Sequence, residues 1–130
     1  MRRLASEAGT ATLETTLMIV VLLPLLFAIL QFGDVFHRWL AQDAATTHAA
    51  RLAGELGGDA PAVRALLSDA LRDSGIDPSR ATITVSPSRV GWREPIRVTV
   101  RHDLRIAIPF AFSADLPVIS TAVARGELAR

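Results

Sequence analysis

The chain has no cysteine among its 130 residues. That excludes a disulfide framework, thiolate metal sites and a cysteine nucleophile together. It has no lysine either: all 14 basic residues are arginine, a usage that reads as the mark of a GC-rich genome more than of a mechanism. Against 13 acids the formal net charge is only +1, which gives no electrostatic footprint for a nucleic-acid partner. Catalytic signatures are missing as well. There is no G-x-S-x-G elbow, no phosphate-cradling glycine loop and no H-E-x-x-H, the local patterns that carry nucleophile, nucleotide and zinc chemistry. His37 and His48 fall eleven apart on one helical face, with His102 remote and no third ligand beside them. No catalytic residue, metal, cofactor or small-molecule substrate is expected, and the chain reads as a non-enzyme.

What the chain does have is one long apolar run. Between Glu14 and Asp34 lie 19 consecutive residues without a charge, and Leu17 to Leu30 is almost wholly aliphatic. At ~1.5 Å rise per residue such a helix covers roughly 28 Å, close to the ~30 Å hydrocarbon layer of a bilayer. A soluble helix apolar on every side would need a large domain around it, which this length does not supply. A membrane-spanning helix over residues 10–36 is therefore expected. Arg2 and Arg3 before it, against the near-neutral set Asp34, His37 and Arg38 after it, put the N-terminus in the cytoplasm by the positive-inside rule. A cleaved signal peptide is the rival, but Leu30-Gln31-Phe32-Gly33 makes a poor small-x-small site.

Two residues do not fit a plain anchor. Glu14 opens the span, and a carboxylate drawn into hydrocarbon is costly unless neutralised or paired. It either rests at the interface near the positive end of the helix dipole, or the chain is cut after Gly9, giving Thr10 a new α-amine one helical turn from Glu14. Such an ammonium–carboxylate pair, within a chain or between neighbours, would offset the cost of both charges. Pro24 sits mid-span, where it removes a helical hydrogen bond and favours a kink. It is a harmless kink or a compliant point when the helix leaves the bilayer.

Beyond the span, alanine-dense sequence from Val35 to Leu56 continues the helix outward over residues 37–58, to a stop at Gly57-Gly58. Thr10 to Leu56 would make a rod about 70 Å long. Ala41, Ala45, Ala49 and Ala53 form a smooth ridge for another helix or for the chain's own domain, and Trp39 fits an interfacial anchor. Residues 59–130 read as a small α+β extracytoplasmic domain. Its helix has Asp59 as N-cap, Pro61 in the first turn, Gly75 past the end, and an apolar face of Val63, Leu66, Leu67, Ala70 and Leu71 that covers a sheet. Then the period becomes two. One strand runs over Ala81–Ser86, a long one over Ile96–Ile108 with a bend or break at His102-Asp103, and a last over Val118–Arg125. Arg97, Arg101 and Arg105 line one face of the long strand, either as a solvated row or as a patch for acidic partners.

Gly9, four residues, then Glu14 at the head of an apolar helix resembles a type IV prepilin processing site, with Glu14 the fifth residue after the cut. Ala11-Thr12-Leu13-Glu14, Leu23-Pro24-Leu25-Leu26, Gln31-Phe32-Gly33, Ala49-Ala50-Arg51-Leu52-Ala53 and the ending Val118–Glu127 resemble the TadE family of the tight-adherence (Flp) pilus system. Thr15 stands where that family usually has an aromatic, and Gln31 where it usually has an acid. The resemblance implies a cytoplasmic leader over residues 1–9, processing by a prepilin peptidase between Gly9 and Thr10, and subunit registry through Glu14. It further implies a single-pass pseudopilin of the inner membrane whose partners are the membrane, other pilins and pilus-assembly proteins. Whether such a subunit stays in the membrane or enters the pilus is open. The rival from another class is an unprocessed membrane-anchored scaffold or binding module.

Overall fold

A computed structural model describes residues 2–128, with side chains from residue 9 onward. The charges of Arg2 and Arg3, on which the expected orientation rests, lie outside the described side chains. The first element, α1, is one continuous helix, Arg2–Leu56, about 80 Å at ~1.5 Å per residue. It starts before the expected Thr10 and runs straight through Pro24. It stops where expected: Gly57 takes φ 74° and the Gly58 N–H reaches back to the Ala53 carbonyl at 2.8 Å, the six-to-one bond of a Schellman end.

The second helix, α2, spans Pro61–Asp73. Asp59 is not its N-cap. That position belongs to Ala60, held extended by the proline that follows it, and Asp59 instead accepts both a 2.9 Å and a 2.7 Å bond from the Arg64 guanidinium. The forked contact also raises the Arg64 pKa, by hydrogen bonding first and by charge second. At the other end Gly75, φ 70°, lets the Ile76 N–H bond the Leu71 carbonyl at 2.9 Å.

Three strands follow: β1 Thr82–Ser86, β2 Pro95–Ile108 and β3 Phe112–Arg125. They form an antiparallel sheet in the order β1-β2-β3. β2 is not broken at His102-Asp103. β3 pairs with it along its whole length, from Pro95↔Arg125 to Ile108↔Phe112, in unbroken register. β3 is accordingly longer than the expected Val118–Arg125. Pro117 is accommodated because β3 is an edge strand, where a missing N–H costs no ladder bond on the open side. β1 pairs only as far as Arg101, so the lower half of β2 and β3 projects as a two-stranded hairpin.

The core explains the alanine ridge. Ala45, Ala49, Ala50 and Ala53 of α1 are buried with Val63, Leu67 and Leu71 of α2 and with Ile96, Val98 and Val100 of β2. The partner of the ridge is the chain's own head, and small side chains let the long helix lie close on the sheet. β3 runs along α1 in the same direction. Gln42 donates to the Val100 carbonyl at 3.0 Å and reaches the Val118 carbonyl and the Ser120 hydroxyl at 3.4 Å. Further along, the Glu127 N–H donates to the Gly54 carbonyl at 3.0 Å. Arg97, Arg101 and Arg105 lie exposed on the opposite face of the sheet, the position of a solvated row.

Candidate functional site

The N-terminal half of α1 owes its character to what is missing around it. Its most apolar stretch contains no buried residue, and Leu17, Leu22, Leu25 and Ile29 are all exposed. Among the described residues no helix or strand covers the stretch before Ala28, and the helix is long and apolar enough to cross a membrane. Two hydroxyls here are satisfied locally. Thr15 donates to the Ala11 carbonyl at 2.9 Å and Thr16 to the Thr12 carbonyl at 2.8 Å, the back-bonding that lets hydroxyls face an apolar medium.

Gly9, Thr10 and Glu14 lie on consecutive exposed turns at the head of that stretch. A Cβ built on Gly9 would meet nothing within 4 Å, and the Gly9–Thr10 peptide lies inside the continuous helix. Thr10 and Glu14, four apart on one helix, share a face. Pro24 is apart from this group, two to three turns on, half-buried inside the unbroken helix. Its ring leaves the Val20 carbonyl without its usual donor. Among the described residues no group of three or more His, Cys, Asp or Glu is gathered in a way that could hold a metal ion.

Three residues that tie α1 to the head were not singled out by sequence. Gln42 looks like one polar residue in an alanine-rich run, yet it is buried between α1 and the sheet. Arg38 bonds Asp34 at 2.9 Å and also the Gly75 carbonyl at 2.7 Å. The first contact is an exposed i,i+4 pair that contributes little; the second fixes α1 against the end of α2. Gly54 stands in the last turn of α1, and its reason is a close crossing: a Cβ there would lie 2.5 Å from the Arg125 carbonyl oxygen. Only that crossing could have been guessed, since an unexplained glycine inside a helical run costs about 1 kcal/mol against alanine and must be kept for some contact.

His102 is buried with its Nδ1 lacking a hydrogen-bond partner among the described residues. Burial, and then the charges of Arg80 and Arg38, push its pKa below the usual histidine value, against a smaller opposing pull from Asp103 and Asp77. The folded chain therefore refuses a proton that the unfolded chain accepts. Stability from this group is complete above the ordinary histidine pKa, about 6.5, and declines as pH falls through it, until the lower folded-state pKa is reached. Chemical unfolding between about pH 7.5 and 5 should show this decline, and a His102→Gln chain should show a visibly flatter one. Parallel curves for the two chains would remove His102 as the cause.

An open apolar groove lies where α1 meets the inner face of β3, between Phe32, Val35, Phe36 and Trp39 on one side and Leu116 and Val118 on the other. The Phe36 and Trp39 rings stack at a tilt, 5.7 Å apart.

The family model described as TadE-like protein matches residues 9–51, about a third of the chain. The matched stretch begins at Gly9, takes in Glu14 and Pro24, and ends where α1 is already buried in the head. It agrees, over that stretch, with the family resemblance read from the sequence. No curated protein and no solved structure matches the chain.

Proposed function

We propose that this TadE-like chain is a single-pass membrane subunit used to assemble a tight-adherence pilus or a related secretion machine, and that it acts by docking, without catalysis. The observation that carries the reading is an uncovered, charge-free helix with a single acid at its head, inside the segment that the family match covers. Residues 1–9 are the leader on the cytoplasmic side of the inner membrane, removed by a prepilin peptidase between Gly9 and Thr10. The α-amine so exposed on Thr10 pairs with Glu14, on the same chain or on a neighbouring pilin, and sets the height of each subunit in the stack. Residues 10–36 span the bilayer, residues 37–58 carry the rod outward, and residues 59–130 form the head that meets other assembly proteins.

Mass spectrometry of the membrane-embedded product tests this. A mature chain beginning at Thr10 is expected. An intact Met1 end would favour the unprocessed scaffold, and loss of everything up to or beyond Leu30 would make the apolar run a signal peptide.

Pro24 is the compliant point of the span, because the helix there already lacks the bond to the Val20 carbonyl. Pro24→Ala subunits should resist extraction from the bilayer and assemble more slowly. Unchanged assembly kinetics in a reconstituted membrane would leave Pro24 as a mere irregularity.

A further inference from the structure

We infer that the β2–β3 hairpin tip, with Phe110 at its apex, inserts into the outer leaflet of the same bilayer that α1 crosses, so that the head is seated in lipid instead of being held above it. The inference rests on the membrane-anchor reading of α1 given above.

Height is the first argument. The Val118 carbonyl lies against Gln42, and Leu116 lines a groove with Phe32, Val35 and Phe36. From Val118 to Phe112 is ~20 Å of strand, the length of ~13 helical residues. That carries the tip down α1 to the neighbourhood of Ile29, inside the charge-free span. Burial agrees with this descent. Leu104 and Ile106, 8 % and 3 % exposed, together with Ile108 are buried on the inner face of the hairpin, although the pairing of β1 with β2 stops at Arg101. Ala28, Gln31 and Val35 on α1 are half-buried in a helix whose remaining faces are open.

Composition is the second. Ile106 to Ala114 reads Ile-Ala-Ile-Pro-Phe-Ala-Phe-Ser-Ala, nine residues without a charge, bounded by Arg105 and Asp115. Those two stand directly opposite each other in the register. On α1 the charge-free run ends at Asp34, and Asp115, three residues below Val118, falls ~10 Å lower, near Val35. Helix and hairpin thus change from charged to apolar at one level. A bilayer imposes that coincidence on both elements at once; a second copy of the chain has no reason to.

The apex supplies the third. Phe110 is 94 % exposed and takes φ 65°, a left-handed conformation disfavoured for a bulky side chain. Phe112 is also exposed. The chain holds an aromatic ring outward at a strained position where nothing of its own receives it. Depth is limited, because open sheet edges are not tolerated in the hydrocarbon core. The Ala111 N–H is satisfied by the Ile108 carbonyl at 3.1 Å and Pro109 has none to satisfy, so the turn itself suits the interfacial zone, about 5–10 Å deep.

Because the chain lacks cysteine, Phe110→Cys creates a unique labelling point. The full-length protein carrying an environment-sensitive nitrobenzoxadiazole label there is reconstituted in phosphatidylcholine–phosphatidylglycerol vesicles with spin labels on the acyl chains. Matched chains carry the label at Leu22→Cys, mid-span, and at Thr121→Cys, on the outer face of the sheet. The expected result is blue-shifted emission at position 110 and quenching several-fold stronger than at 121, approaching that at 22. Ala111→Cys guards against a fold lost with Phe110 and should behave in the same way. Quenching at 22 with water-like emission at 110 and 111 overturns the inference and leaves the anchor standing. No quenching at any position overturns the anchor reading itself. A blue shift at 110 that grows with protein density and ignores the lipid spin labels assigns the tip to a second copy, and the inference falls.

Discussion

Glu14→Ala chains are expected to insert in the membrane and to be cut after Gly9, yet to appear in sheared or purified assemblies about a hundredfold less than the parent. The size of the effect separates the two readings of this acid. If Glu14 only complements the positive end of the helix dipole, its loss is worth about 0.3–1 kcal/mol, a factor of a few. If it pairs with the Thr10 amine in a dry subunit interface, its loss strands an ammonium there, at about 3–5 kcal/mol. At ~1.4 kcal/mol per tenfold that is two orders of magnitude or more. Glu14 is exposed in the isolated chain, as a group waiting for a neighbour would be. Glu14→Gln keeps length and loses charge, and should fail nearly as badly. Assembly of Glu14→Ala at the parent's level, measured by co-fractionation, would falsify the registry role and favour a tethered scaffold.

Gly54→Ala is expected to destabilise the head by roughly 2–3 kcal/mol, the cost of overpacking a close contact. The sign is the informative part. In the middle of an exposed helix the same change stabilises by about 0.5–1 kcal/mol. Here the new methyl would meet the Arg125 carbonyl oxygen, a backbone atom of β3 that cannot swing away. The Glu127 N–H is bonded to the Gly54 carbonyl at the same crossing, so relief by sliding breaks a second contact. Gly33→Ala is the control, since a Cβ there meets nothing within 4 Å. Thermal unfolding of the detergent-solubilised chain should drop by about 10 °C for Gly54→Ala and hardly move for Gly33→Ala. Equal melting points for all three chains would mean that α1 does not cross β3 so closely.

The sequence made the elements legible where local pattern and tertiary context agree. The charge-free run, the double-glycine stop at Gly57-Gly58, the apolar face of α2 and the two-residue period of β2 all stand in the structure. The lower half of β3 was hidden by Pro117, which interrupts an otherwise alternating run of Phe112, Ala114 and Leu116 with Ser113 and Asp115; its strand character is carried across the proline by β2 beside it. The break expected at His102-Asp103 failed for the same reason, since a paired partner overrides a weak local signal. Asp59 misled because a good capping residue two places before a proline can be diverted to an arginine. At the candidate site, Gly9, Thr10, Glu14 and Pro24 could be singled out as charges and breakers in an apolar context. Gln42 could not: its burial depends on a strand 58 residues away.

The alanines that complete the core belong to α1 itself, and no flexible connector separates them from the apolar span. Axial displacement of the helix beyond Pro24 is therefore displacement of the sheet, since no hinge lies between them. A pull on that part of the rod reaches whatever the head is touching.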